Sequence, residues 1–213
     1  MRSMADPEAL DGMRRFGINV ENRLGLSVPR IRAIAKRHGR NQALAEELWE
    51  TGILDARILA SFVGDPDAIR SSTMDRWVRD FNCWTICDTC CCDLFDRTPY
   101  AWTKIRKWAP NNREFVRRAA FATIAGLAVH DKAADDRQFI DALKLIETYS
   151  FDDRNFVRKA VNWGLRGIGK RNARLLPHAI RSAERIRAQD SRSARWIATD
   201  ALREWRTREK RAD

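Results

Sequence analysis

The chain has 213 residues, 44% hydrophobic and 32% charged, which suits one buried core or one array of repeats and excludes a disordered composition. Lys and Arg number 40 against 29 Asp and Glu, a formal net charge of +11 that favours a polyanionic partner, nucleic acid before an acidic membrane surface. No apolar run approaches the roughly 18 residues of a membrane-spanning helix; the start, MRSMADPEALDGM, lacks the apolar centre of a signal peptide, and five cysteines confined to Cys83–Cys92 point to a reducing cytoplasm, bacterial cytoplasm or nucleoid, rather than a disulfide framework.

Helix signals recur along the chain and strand signals do not. Asp6 precedes Pro7 and Glu8, a helix start. Further starts are expected at Ser27 or Val28 before Pro29, at Asn41, at Thr98 with Pro99, at Asn112 and at Asp135, whose spacing to Gln138 is that of a capping box. Gly39, Gly52 and Pro110 mark stops. Apolar residues recur at three and four: Leu44 and Leu48; Val116, Ala120 and Ile124; Val157, Val161 and Leu165; Ile197, Ala201 and Leu202. The reading is an all-α chain of eleven or twelve helices with short connections and no linker, hence a single domain over 1–213 with its ends frayed.

One stretch stands apart, Asn82 to Phe95. If it is helical, Trp84 and Asp88 share a face one turn apart, while Cys83, Cys87, Cys90 and Cys91 lie on an overlapping apolar face. Taken alone, a core tryptophan and a surface carboxylate would account for the pair. The cysteines, with Cys92, lack the paired spacing of a zinc site and read as buried free thiols.

The chain also repeats itself. Phe115-Val-Arg-Arg-Ala-Ala-Phe121 returns 41 residues later as Phe156-Val-Arg-Lys-Ala-Val-Asn162, and Thr199 to Arg203 echoes Asn162 to Arg166. A two-helix period near 40 residues is that of HEAT and armadillo arrays, in which pairs stack because no pair buries its apolar face alone. The second helices would line a concave face made basic by Arg117, Arg118, Arg158, Lys159, Arg166, Arg195 and Arg203, a surface suited to cradle duplex DNA. Lys170 joins this set as a DNA contact. The tail Arg203 to Arg211 reads as a solvated helix end.

With Leu24-Gly-Leu-Ser-Val-Pro29, Trp84-x-x-x-Asp88, Phe115-Val-Arg-Arg118 and Phe156-Val-Arg-Lys-Ala-Val-Asn-Trp163 in this order, the chain resembles the HEAT-like-repeat alkylpurine DNA glycosylases of the AlkD type. The likeness runs from about Phe16 to Trp205. It implies a right-handed α-solenoid with a basic concave face. It also implies that Asp88 is the catalytic carboxylate, that Trp84 and Trp163 pack on the lesion's deoxyribose, and that Arg118 is the arginine beside the carboxylate. Phe16 falls where family members can carry a tyrosine, so the aromatic face is kept and the hydroxyl lost. The implied substrate is an N3- or N7-alkylated purine in duplex DNA, the implied enzyme a monomeric, monofunctional glycosylase without metal or cofactor.

Other readings stand beside it. Gly164-Leu-Arg-Gly-Ile-Gly-Lys-Arg171 matches a phosphate-loop pattern except that Arg171 replaces Ser or Thr and a helix precedes it. Gly167-Ile-Gly169 with Asp190 resembles a helix-hairpin-helix glycosylase; the alternative makes Asp190 the cap of the last helix. The same scaffold without chemistry would be a binder of bent or branched DNA, and without DNA affinity a protein-interaction array. His38, His130 and His178 are scattered and no G-x-S-x-G elbow exists, so no triad is supported.

Overall fold

A computed structural model describes residues 1–16 and 18–212, except for the side chains of Arg2 and 209–212; the side chains at the end of the basic tail therefore lie outside what is described. Among the described residues there are twelve α-helices, two 3-10 turns and no strand, and no helix is long and apolar enough to cross a membrane. The chain groups into two compact units, Met1–Tyr100 and Ala101–Asp213.

The first unit holds α1 (Ala9–Arg15), α2 (Val28–His38), α3 (Gln42–Glu50), α4 (Leu54–Val63), α5 (Ser71–Arg79), α6 (Trp84–Asp93) and a 3-10 turn over Phe95–Arg97. Several starts follow from local chemistry. Ser27 accepts from the Arg30 N–H at 3.4 Å and Asn41 from the Leu44 N–H at 2.9 Å, each filling an orphan donor of the first turn. Asp6 accepts from Ala9 N–H at 3.2 Å. Gly39 and Gly52 end α2 and α3 with φ of 63° and 69°. The α4 helix is buried along most of its length and packs against α2, α3 and α6. Beneath α3 and α5, Trp49 and Trp77 stack face to face at 4.1 Å. The Leu44–Leu48 row is only half-buried; the inward row lies one residue on, at Ala45 and Trp49, because the large indole takes the core position.

The Leu24–Pro29 marker has a physical basis. Gly25 has φ of +79°, and a Cβ there would meet the Asp6 carbonyl oxygen at 1.9 Å, so only glycine fits. Asp55, fully buried, accepts from the N–H groups of Leu24 at 2.8 Å and Leu26 at 3.0 Å, with Arg23 at 3.6 Å.

The second unit holds α7 (Ala101–Trp108), α8 (Glu114–His130), α9 (Asp136–Tyr149), α10 (Asn155–Arg171), α11 (Leu176–Arg187) and α12 (Arg192–Ala212). The α8, α10 and α12 helices form a row, with α7 on α8, α9 on α11 and α11 against α12. The α8–α10 approach is close: a Cβ on Gly164 would lie 3.3 Å from the Phe121 carbonyl, one on Gly167 3.4 Å from the Ala128 Cβ. The repeat is visible as contact, since Phe115 and Phe156 pack ring on ring at 5.4 Å. The rows Val116, Ala120 and Ile124, Val157, Val161 and Leu165, and Ile197, Ala201 and Leu202 are all buried.

Three expected caps differ. Thr98 donates to the Phe95 carbonyl at 2.8 Å instead, and α7 begins at Ala101 after a turn. Before α8 the closing side chain is Asn111, which accepts from Arg113 N–H at 2.9 Å, rather than Asn112. At α12 Ser191 accepts from Ala194 N–H at 3.3 Å, while Asp190 is exposed and pairs with Arg195 at 3.4 Å. Asp135 does cap α9, through the Arg137 N–H at 2.8 Å. The Gly164–Arg171 stretch forms the last turns of α10, so it is neither a phosphate loop nor a hairpin.

Candidate nucleic-acid interface

The α6 helix carries the sharpest constellation of the first unit. Cys83 precedes it in extended backbone and Trp84 is its first residue. Cys83, Cys87, Cys90 and Cys91 are buried and set the inward face. Trp84 and Asp88 are half-buried and one turn apart on the neighbouring face, where both reach solvent. Cys92 lies one turn further. Burial pushes its thiol up, helped by Cys91 and then by the Asp88 carboxylate. Cys90 is pushed up in the same way, by burial first and then Cys91 and Asp93. These are neutral packing thiols, and among the described residues no three His, Cys, Asp or Glu side chains gather as metal ligands.

Trp84 has a second task. Its indole N–H donates to the Phe16 backbone carbonyl at 3.1 Å, across 68 residues of sequence. Phe16 closes α1, and its ring is 74% exposed. No side chain of α1 itself is buried. The tether therefore fixes the main chain at Phe16, at the end of α1, against Trp84.

In the second unit the arginines of the repeat divide by task. Arg117 is 8% exposed: Nε donates to the Ala109 carbonyl at 3.0 Å, Nη1 to Asp152 at 2.5 Å, and the guanidinium lies 4.9 Å from the Tyr149 ring centre. That geometry ties α8 to the loop before α10 and departs from the expectation of a DNA contact. Asp152 also binds Arg154, at 2.6 Å. Arg118 is 6% exposed, and its Nη1 donates to the Phe156 carbonyl, with the guanidinium 6.0 Å from that ring. Arg158 is half-buried and stacks over Trp196 at 4.7 Å. Arg166 and Lys170 each reach Glu204 at 3.0 Å, and Arg166 also Asp200 at 3.2 Å, so α12 carboxylates offset this part of the basic row. Lys159 and Arg195 are exposed, and Trp163 is half-buried on α10.

The model of the DNA alkylation repair enzyme family matches residues 1–205. The chain belongs to that family. None of the curated proteins compared with it matches. Among solved structures, this family member is similar to one from a family of proteins related to the HEAT-like repeat DNA glycosylases with affinity for branched DNA structures. The TM-score is 0.76 at 20% identity, over 95% of this chain and 91% of that chain. At that identity the likeness is one of fold, the HEAT-like helical repeat that the 41-residue period of this DNA alkylation repair family member predicts.

Sequence reasoning missed Asp55 and Asp152, the two buried carboxylates that fix the Leu24 segment and the loop before α10. Asp55 is joined to Leu24 across 31 residues and Asp152 to Arg117 across 35, and no local pattern announces either link.

Proposed function

We propose that this chain is a monofunctional DNA glycosylase that removes N3- and N7-alkylated purines from duplex DNA. The observation that carries the reading is the pairing of Trp84 and Asp88 on one solvent-reaching face of α6, with the main chain of Phe16, whose side chain is exposed, tied to the same indole. An alkylated purine of this kind is already cationic. When the bond from C1′ to the ring nitrogen breaks, the electron pair neutralises the departing base, so no acid is needed there. The sugar is left as an oxocarbenium-like cation. The Asp88 carboxylate supplies the opposite charge and positions the water that adds to C1′, taking up its proton. Trp84 excludes bulk water and adds its ring quadrupole to the stabilisation of the cation.

From the second unit, the family resemblance assigns Trp163 to the deoxyribose and Arg118, whose guanidinium donates to the Phe156 carbonyl, to a fixed positive charge. Phe16, Lys159, Arg158 and Arg195 are the proposed contacts to DNA; Arg166 and Lys170 serve there only in competition with Asp200 and Glu204. No metal or cofactor enters this reaction, because the leaving group is activated by its own charge. The test is release of 7-methylguanine from a duplex by the native chain and by Asp88→Asn.

A second reading has its own support. The fold neighbour's family has affinity for branched DNA structures, and the same scaffold can bind bent or branched DNA without using Asp88. Salt-sensitive binding of a four-way junction, with no base release, would select that reading.

A further inference from the structure

The C-terminal ends of α2, α4 and α6 meet around a cavity of about 290 Å³ in the first unit. Arg32 and Lys36 stand one turn apart on α2, Arg40 follows the Gly39 cap, and Arg97 comes from the 3-10 turn after α6. Phe62 and Asp93 complete the wall. Most of these cations are held in place. Arg32 makes two bonds to Asp93, at 2.8 and 3.3 Å, with its guanidinium 4.3 Å from the Phe62 ring centre. Arg40 donates to the Gly64 carbonyl, which leaves most of its five N–H donors for another acceptor. Arg97 lies 3.9 Å from the buried carboxylate of Asp96. Lys36 is exposed.

The ordinary use of such residues is to offset the negative ends of helices. That use can be weighed. Three helix ends contribute about −0.5 each, and Asp93 and Asp96 a full negative charge each. Four cations exceed this by about 0.5 of a charge. The small surplus, with the open donors of Arg40 and the exposed ammonium of Lys36, suits an anion of low charge. A phosphodiester carries one negative charge; a phosphate monoester carries about −1.5 to −2 at neutral pH. From Trp84 to Asp93 the helix rises about 14 Å, comparable with about four base pairs of duplex rise.

The geometry points to a second DNA contact, a pocket of Arg32, Lys36, Arg40 and Arg97 that holds one backbone phosphodiester of the DNA flanking the lesion. It rests on the reading that duplex DNA is the partner. It positions the duplex and carries no sequence preference.

The experiment is a salt titration of affinity for an undamaged duplex, by fluorescence anisotropy, with the native chain and the Lys36→Ala/Arg97→Ala double variant. Each lost phosphate contact lowers the slope of log K against log salt by about 0.9, so the double variant, which gives up the pocket's one phosphate, is expected to lose that much. The loss should be equal for unrelated duplex sequences, and Lys36→Arg should retain the native slope. A native chain that binds with a steep slope while the double variant keeps it overturns the inference alone. A lowered melting temperature with an unchanged slope does the same, assigning the cations to helix ends. So does loss of inorganic phosphate binding, by calorimetry, with DNA affinity unchanged. Failure of the glycosylase reading shows separately, as absence of base release by the native chain.

Discussion

The indole N–H of Trp84 donates to the main-chain carbonyl of Phe16 at 3.1 Å, so the aromatic beside Asp88 also anchors the end of α1. Nothing else in α1 is buried. Trp84→Phe keeps a ring on this face and removes the donor. The expected result is faster amide exchange and proteolysis over residues 9–16, with a global stability loss no larger than about 1 kcal/mol for a partly exposed hydrogen bond. Under the proposed function base release falls as well, because Phe16 is no longer held beside the lesion. Unchanged exchange over 9–16 would show that the tether does not restrain α1.

Gly169 sits where α10 meets α12. A Cβ there would lie 2.4 Å from the Trp205 ring, and the ring is itself buried. Neither neighbour is a flexible chain end. Gly169→Ala is expected to destabilise the second unit by about 1–3 kcal/mol through overpacking. Combining it with Trp205→Leu should recover part of that loss. Urea unfolding of the single and double variants checks both statements; additive losses would mean that the ring and the new methyl do not compete for space.

Asp152 gives the fold a pH dependence of known sign. Burial alone would push its carboxyl up, but hydrogen bonds from Arg154 and Arg117 outweigh it and hold the group below the usual carboxylate range. A depressed carboxylate stabilises the fold above its unfolded value of about 3.9, and the contribution disappears as pH falls through the lower, folded value. Denaturant midpoints should therefore drop below about pH 4. Asp152→Asn should lower stability at pH 7 and make the acid transition shallower. An equally steep acid transition in Asp152→Asn would assign the dependence to other carboxylates, such as Glu147, where burial opposes and the bonds from Arg185 and Ser182 prevail.

How much of this was legible in the sequence depends on the range of the interaction. Ser27, Asn41 and Asp135 cap helices as their spacing suggests, because a cap acts over two or three residues. The 41-residue repeat emerges as Phe115 packing on Phe156, and the face of α6 with Trp84 and Asp88 follows from helical spacing alone. What fails is either a choice between adjacent caps or a long-range contact. Thr98, Asn112 and Asp190 each sit beside a better-placed cap or a competing carbonyl. Arg117 reads as a surface cation, but Asp152, 35 residues on, draws it inside. Arg166 and Lys170 read as a bare basic row, but α12 brings Glu204 against both. The tether from Trp84 to Phe16 spans 68 residues and uses a backbone carbonyl, which no sequence pattern marks.

The most direct test is single-turnover release of 7-methylguanine from a duplex by the native chain, by Asp88→Asn and by Asp190→Asn as a control on an exposed carboxylate. The account predicts release by the native chain and by Asp190→Asn, and a fall of at least about 100-fold in Asp88→Asn, the order of magnitude for removing a group that stabilises transition-state charge, with duplex affinity retained. Release by Asp88→Asn at the native rate, or no release by the native chain while salt-sensitive DNA binding persists, would contradict it.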